Sequence, residues 1–124
     1  MKTISIAPAD NTPGVVLSKE SGVFSFFGKS LPEDVNKFYT PIQDWFREYC
    51  QNPNPKTEIS FNLDYFNSST ARIIVKLLIE TENIHNKQSD VHVTWFYKSG
   101  DEVMHDRGCE LQSVLKIPFD LKEK

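Results

Sequence analysis

Apolar and polar residues alternate most regularly between Lys56 and Leu63, where Ile59, Phe61 and Leu63 are separated by single polar residues. A period of two residues is typical of a β-strand with one face more buried than the other. Four further stretches carry β-branched and aromatic residues and also predict strands: 15–18, 22–28, 91–97 and 117–121. A short polar turn separates the first two of these stretches, which therefore predict a β-hairpin.

A different spacing follows Pro32, where apolar residues recur every three or four positions from Val35 to Tyr49. This period predicts an amphipathic helix, and Pro32 followed by two acidic residues fits its start. Pro41 lies inside the pattern. Because a proline removes a helical hydrogen bond, we expect either a kink or a restart of the helix with Thr40 as its second cap.

Two further helices are predicted after the strand that ends at Leu63. Residues 70–86 have the length and composition of a helix, with apolar residues pointing inward and most charged residues facing outward. Residues 101–114 form a weaker pattern that predicts a third helix, interrupted by Gly108. Residues 1–13 contain prolines and polar residues, and we expect them to form a loose arm.

The predicted elements follow one another in the order β-β-α-β-α-β-α-β. A strand, a helix of about 15 residues and a further strand together imply a right-handed parallel crossover. We therefore expect an α/β protein with a small mixed β-sheet packed by helices. A length of 124 residues favours a single domain covering residues 1–124.

Charge and composition exclude several classes of function. The net charge is −3 and no basic cluster is present, so nucleic acid is not an expected partner. No apolar run approaches the roughly 20 residues that cross a bilayer, so no membrane insertion is expected. The N-terminal segment lacks the pattern of a secretory signal, and Cys50 and Cys109 lie in no motif. We expect a cytoplasmic protein with free thiols.

The sequence offers little support for catalysis. It contains no G-x-S-x-G, no Walker A motif and no H-E-x-x-H motif, and its carboxylates show no paired spacing. His105 and Cys109 lie four residues apart on a predicted helix, but structural zinc usually takes four ligands. We therefore expect no catalytic residues, no metal and no cofactor.

The polar stretch Asn67-Ser68-Ser69-Thr70 joins a predicted strand to a predicted helix. In one interpretation Asn67 or Ser68 simply caps the helix, which is worth about 1 kcal/mol. In the other, an exposed hydroxyl at this helix start accepts a phosphate, which adds about −1.5 to −2 charges beside a positive dipole end. The helix would tolerate that charge, whereas an apolar or acidic partner docked there would not. Arg72 either pairs with the phosphate or is simply solvated.

Several segments together resemble one family of bacterial proteins. They are TPGVVL, GKSLPEDVNKFYTPIQDWF, LDYFNSSTARIIVKLL and VTWFY, and the resemblance covers about residues 12–121. A strand, then Asn-Ser-Ser, then a helix looks like the STAS architecture of anti-sigma-factor antagonists. Within that group the chain is most similar to the SiaC-type regulatory phosphoproteins. The combination of SLPED and YFNSS is the most specific part of the resemblance.

The resemblance implies a partner-switching phosphoprotein with a STAS-like fold. In such proteins a cognate serine/threonine kinase phosphorylates the hydroxyl residue after the Asn, and a metal-dependent phosphatase removes the phosphate. In one branch of the family the unphosphorylated form activates a diguanylate cyclase, which raises cyclic di-GMP and favours biofilm formation. Transferred to this chain, the acceptor is Ser68, with Ser69 and Thr70 as alternatives. Asn67, Ser69, Thr70 and Arg72 then contribute to the docking surface.

Two other functions stay open at this point. A phosphorylation-independent adaptor would bind its partner equally well with and without the phosphate. A small enzyme would need a pocket with converging polar groups, which the sequence does not identify.

Overall fold

The structure, a computed structural model, describes residues 1–124. Six strands and three helices alternate along the chain. They are β1 Ile4–Ile6, β2 Gly14–Ser18, β3 Val23–Ser30, α1 Val35–Tyr49, β4 Lys56–Phe66, α2 Ser68–Glu82, β5 Asp90–Tyr97, α3 Glu102–Val114 and β6 Phe119–Glu123. No helix is long and apolar enough to cross a membrane.

The six strands form one sheet in which their spatial order is the same as their order in the chain. β1, β2 and β3 pair antiparallel, whereas β3, β4, β5 and β6 pair parallel. Each parallel pair is joined by one helix, and crossovers of the usual right-handed sense between strands in this order place all three helices on the same face of the sheet. The predicted α/β class, with a small mixed sheet packed by helices, is confirmed.

The predicted element order lacked one strand. β1 lies within residues 1–13, which were expected to form a loose arm, and it pairs with β2 through Ile4 opposite Leu17 and Ile6 opposite Val15. Trp45 also holds this segment, because its indole nitrogen Nε1 donates a hydrogen bond to the Lys2 carbonyl oxygen at 2.7 Å. Three residues are too few to show a period in the sequence, so only the pairing partner reveals this strand.

Apolar side chains on the helix-bearing face of the sheet form a single core. Phe26 on β3 stacks on Phe61 of β4 with ring centroids 5.0 Å apart, and Phe61 lies 5.5 Å from Trp95 of β5. The alternate residues of the same strands, such as Ser60 and Thr94, are only half-buried. The alternation in the sequence therefore separates the two faces of the sheet as predicted.

Helix α1 does not restart at Thr40. Its cap is Asp34, whose carboxylate accepts a hydrogen bond from the Lys37 amide at 3.1 Å, and the helix continues past Pro41 to Tyr49. Pro41 and Lys37 are both exposed. Water can therefore reach the Lys37 carbonyl that the proline leaves without a helical donor, which is why the helix tolerates Pro41.

Helix α3 is not interrupted at Gly108. This glycine is buried, and a Cβ atom built on it would lie 2.5 Å from Cδ1 of Trp95. The Trp95 indole also donates a hydrogen bond from Nε1 to the Met104 carbonyl oxygen at 2.9 Å. Gly108 thus allows α3 to approach the sheet closely, and it does not end the helix.

Candidate functional site at the start of helix α2

The stretch from Phe66 to Thr70 connects β4 to α2. Asn67 has an extended backbone, with φ −91° and ψ 174°, and its side-chain Oδ1 accepts a hydrogen bond from the Thr70 amide at 2.9 Å. This is the geometry of a helix N-cap. Asn67 is therefore the cap, and Ser68 is the first helical residue, two positions earlier than the sequence pattern predicted.

The hydroxyl residues after the cap differ in exposure. Ser68 is exposed, Ser69 is half-buried, and Thr70 is completely buried, with 0% of its surface exposed. Arg72 is exposed and forms no ion pair with a carboxylate. Thr70, which was predicted as an alternative acceptor and as a docking residue, has no exposed surface in this structure, whereas Ser68 and Ser69 do.

Thr70 instead belongs to a buried group of hydroxyls, here called the Ser30 cluster, which consists of Ser30, Tyr39 and Thr70. Ser30 Oγ lies 2.6 Å from the Tyr39 hydroxyl oxygen and 2.8 Å from Thr70 Oγ1, and Thr70 Oγ1 donates to the Ser30 carbonyl oxygen at 3.2 Å. Each hydroxyl has only one proton to donate. Ser30 Oγ must therefore donate to Thr70, and Tyr39 must donate to Ser30.

The Ser30 cluster holds the start of α2 against the end of β3. The Ser30 carbonyl oxygen also accepts a hydrogen bond from the Asn67 amide at 3.3 Å. Burial raises the pKa of the Tyr39 phenol above its ordinary value, and hydrogen bonds with Ser30 and Thr70 partly oppose this shift. Tyr39 therefore stays protonated at neutral pH and remains a donor.

Ser30 and Tyr39 were absent from the predicted site because their contacts with Thr70 join distant segments of the chain. The pairing of β3 with β4 shifts register between Gly28 and Lys29, and Gly28 has a φ of 90°. The extra residue is Asp64 of β4, since Gly28 pairs with Leu63 and Lys29 with Tyr65. The buried positions of β4 therefore change parity before Phe66, whereas β3 keeps its alternation as far as the buried Ser30. That alternation indicates that Ser30 faces the core, but it does not identify the partners of its hydroxyl.

The three helices share one capping geometry but differ in charge. Asp34 caps α1 and Asp101 caps α3, each accepting a hydrogen bond from the third amide of its helix at 3.1 Å. Asn67 caps α2 in the same way, but α2 has no acidic residue in its cap or first turn. The start of α2 is therefore the only one of the three without a carboxylate in its cap or first turn to stabilise the positive end of the dipole.

The other chemistry-bearing residues lie away from this junction. Cys109 Sγ is 3.8 Å from His105 Nε2, but no group of three or more potential metal ligands exists anywhere in the chain. Both cysteines are free, and burial, together with the nearby Glu80, raises the pKa of the Cys50 thiol to about 11. Cys50 is therefore a neutral thiol at physiological pH.

Comparison with known sequences identifies the family. The sequence profile described as SiaC family regulatory phosphoprotein matches residues 6–124. The chain belongs to the SiaC family of regulatory phosphoproteins. It is also 22% identical to an uncharacterized protein of Pseudomonas aeruginosa (strain UCBPP-PA14), over 98% of this chain and 97% of that protein.

Solved structures of SiaC have the same fold. The chain is 21% identical to apo-SiaC of Pseudomonas aeruginosa, with a TM-score of 0.88, and the match covers 98% of this chain and 99% of that one. A second structure is described as the diguanylate cyclase SiaD of Pseudomonas aeruginosa in complex with its activator SiaC, with 21% identity, a TM-score of 0.90 and the same coverage. These likenesses confirm the mixed α/β architecture, while the relation to STAS domains stays a prediction.

Proposed function

We propose that this SiaC-family protein is a non-enzymatic partner-switching regulator, and that reversible phosphorylation of Ser68 controls its binding to an effector. One observation carries the choice of residue. Ser68 is an exposed hydroxyl in the first turn of the only helix whose start has no carboxylate. Membership of a phosphoprotein family supports the presence of a phosphate, and this helix start is the place where its charge is best tolerated.

The proposed modification is a simple phosphoryl transfer. Oγ of Ser68 attacks the γ-phosphorus of ATP, a new O–P bond forms, the bond to ADP breaks, and a base on the kinase takes the hydroxyl proton. The product adds about −1.5 to −2 charges at the α2 dipole. Arg72, which has no carboxylate partner, lies one turn farther along the helix and provides a counter-charge.

The phosphate changes the docking surface and leaves the fold intact. The Ser30 cluster and the Asn67 cap hold the α2 start through contacts that do not use the Ser68 hydroxyl. An effector with apolar or acidic groups above Ser68 and Ser69 is therefore repelled by the added charge, without any rearrangement of the helix.

Three partners complete the proposed switch. A serine/threonine kinase adds the phosphate, a metal-dependent phosphatase removes it, and an effector binds the unphosphorylated form. The SiaC of Pseudomonas aeruginosa is described as the activator of a diguanylate cyclase, and we propose an effector of the same class here, with cyclic di-GMP as the output. The proposal places the protein in the cytoplasm, where kinases use ATP.

The test compares three variants at the α2 start. Phosphopeptide mass spectrometry of protein from the native host should locate the phosphate on Ser68. Ser68→Ala should bind and activate a purified diguanylate cyclase of the same organism as well as unmodified protein does, whereas Ser68→Asp should bind about tenfold more weakly or worse. Ser69→Ala is the matched control and should still accept the phosphate.

Two results would contradict this proposal. If Ser68→Ala is still phosphorylated to the wild-type level, Ser68 is not the acceptor. If phosphorylated and unphosphorylated protein bind the effector equally well, the protein is a phosphorylation-independent adaptor.

A further inference from the structure

An apolar groove separates α2 from α3. Helix α2 packs along α1, whereas α3 lies against β5 and β6, and the space left between the two helices has a volume of about 230 Å³. Six of its eight lining residues are apolar: Phe66, Ala71, Ile74, Val75, Leu111 and Val114. Val114 is 64% exposed at its edge, so the groove is open to solvent.

Arg107 marks the end of the groove that is nearer to Ser68. Its guanidinium carbon lies 5.4 Å from the centroid of the Phe66 ring, and Phe66 directly precedes the α2 cap. Arg107 is only partly exposed and forms no ion pair with a carboxylate of this chain. A partly desolvated guanidinium held on an aromatic ring is well placed for a carboxylate from outside the chain.

The charges around the groove differ between its two ends. The end near Ser68 carries Arg107 and the positive dipole end of α2, and Arg72 is exposed on the same helix. The only acidic lining residue is Glu110, which is exposed and lies one helical turn farther along α3. Within the groove, an incoming carboxylate is therefore favoured beside Arg107 and not beside Glu110.

We infer that this groove receives a segment of the effector that presents an apolar side chain with a carboxylate beside it. The apolar side chain packs between Ala71, Val75 and Leu111, and the carboxylate pairs with Arg107. The inference rests on the proposed function, because the partner is the effector of the switch. It also gives the switch a physical basis, since a phosphate on Ser68 adds negative charge at the end of the groove where the carboxylate binds.

The experiment uses exposed valines on α3 as a matched pair. Val114→Asp places a charge at the edge of the groove, whereas Val103→Asp places it on the same helix at a site that is 60% exposed and does not line the groove. With the diguanylate cyclase that the unmodified protein binds, Val114→Asp and Arg107→Glu should each lower affinity about tenfold or more, the size typical of an interface hot spot. Val103→Asp should bind as the wild type does, and Arg107→Lys should recover part of the affinity.

The two proposals fail in different ways. If the cyclase discriminates Ser68→Asp from the wild type but binds Val114→Asp and Arg107→Glu normally, the groove inference is wrong and the phosphorylation switch stands. If no cyclase binds, the photo-crosslinker p-benzoylphenylalanine in place of Val114 or Val103 tests the groove in the native host. Crosslinks specific to position 114 on a partner segment with apolar and acidic residues support the inference. Equal crosslinking at both positions, a basic partner segment or a second copy of this chain overturns it.

Discussion

Helices α2 and α3 begin at the carboxyl ends of neighbouring parallel strands, but the two helix starts are built differently. Both have a side-chain oxygen that accepts a hydrogen bond from the third amide of the helix, from Asn67 in α2 and from Asp101 in α3. The α3 start adds Glu102 in its first turn and is held by the Trp95 indole. The α2 start has no acid and is held by the buried Ser30 cluster.

This difference shows that capping and charge are separate properties of a helix start. A neutral Asn satisfies the free amide as well as an Asp does, but it leaves the dipole of α2 uncompensated. In α3 the carboxylates already occupy the position that an anion would take. The start of α2 is held by buried hydrogen bonds, and no carboxylate in its cap or first turn stabilises the positive end of its dipole. Both properties suit a residue that gains and loses negative charge.

The largest expected effect comes from the anchor of α2. Ser30→Ala leaves the buried Tyr39 hydroxyl without its acceptor, which should lower the free energy of unfolding by about 1–3 kcal/mol. Ser25 lies on the same strand with its side chain only half-buried, so Ser25→Ala should cost within about 0.5 kcal/mol. Urea denaturation measures both. Ser30→Ala combined with Tyr39→Phe should recover part of the loss, and the cluster has no anchoring role if Ser30→Ala behaves like Ser25→Ala.

A smaller change in stability is expected when either cap is removed, and its dependence on salt should differ between the two caps. Asn67→Ala and Asp101→Ala should each lower the free energy of unfolding by about 0.5–2 kcal/mol, because each leaves a helix amide unpaired. Part of the Asp101 contribution is a charge–dipole interaction that salt screens, whereas the Asn67 contribution is not. In denaturation experiments, the loss of stability in Asp101→Ala should therefore be smaller at high than at low sodium chloride, whereas the loss in Asn67→Ala should not change. Equal salt dependence in the two variants would contradict this assignment.

The smallest expected change in stability comes from adding a charge at the start of α2 and removing one at the start of α3. Ser68→Glu should raise the free energy of unfolding by about 0.3–1 kcal/mol, and Glu102→Gln should lower it by a similar amount. Thermal and urea denaturation at low ionic strength resolve such differences. A clear loss of stability in Ser68→Glu would mean that the α2 start rejects negative charge, and impaired effector binding by Ser68→Asp would then reflect the fold and not the surface.

Most of the fold could be predicted from the sequence because buried apolar residues recur with the period of a strand or a helix. Five of the six strands and all three helices follow from alternation or three-to-four spacing, as in Ile59, Phe61 and Leu63. Strand β1 shows no such period in the sequence, since only its pairing with β2 defines it. Gly108 was predicted to interrupt α3, but a glycine is needed there because the Trp95 ring of β5 packs closely against the helix.

The candidate site was predictable only in part. The order Asn-Ser-Ser after a strand indicates a cap and an exposed first turn, and the structure has Asn67 and Ser68 in these positions. The burial of Thr70 was not predictable, because it depends on Ser30 and Tyr39, which are 40 and 31 residues away in the chain. Arg107 likewise meets Phe66 only through the packing of α3 on the sheet. Contacts between distant segments carry no local signal.

The identity between strand order and chain order has a consequence for how the molecule is made. Every strand pairs with the one synthesised immediately before it, so no strand has to wait for a later segment to leave the ribosome. The antiparallel pairs are closed by short loops and each parallel pair by a single helical crossover (31–55, 67–89 or 98–118), so no pairing closes a longer stretch of chain. The topology therefore allows the sheet to add one edge strand at a time as translation proceeds, and the contact of Asn67 with Ser30 requires no residue of α3.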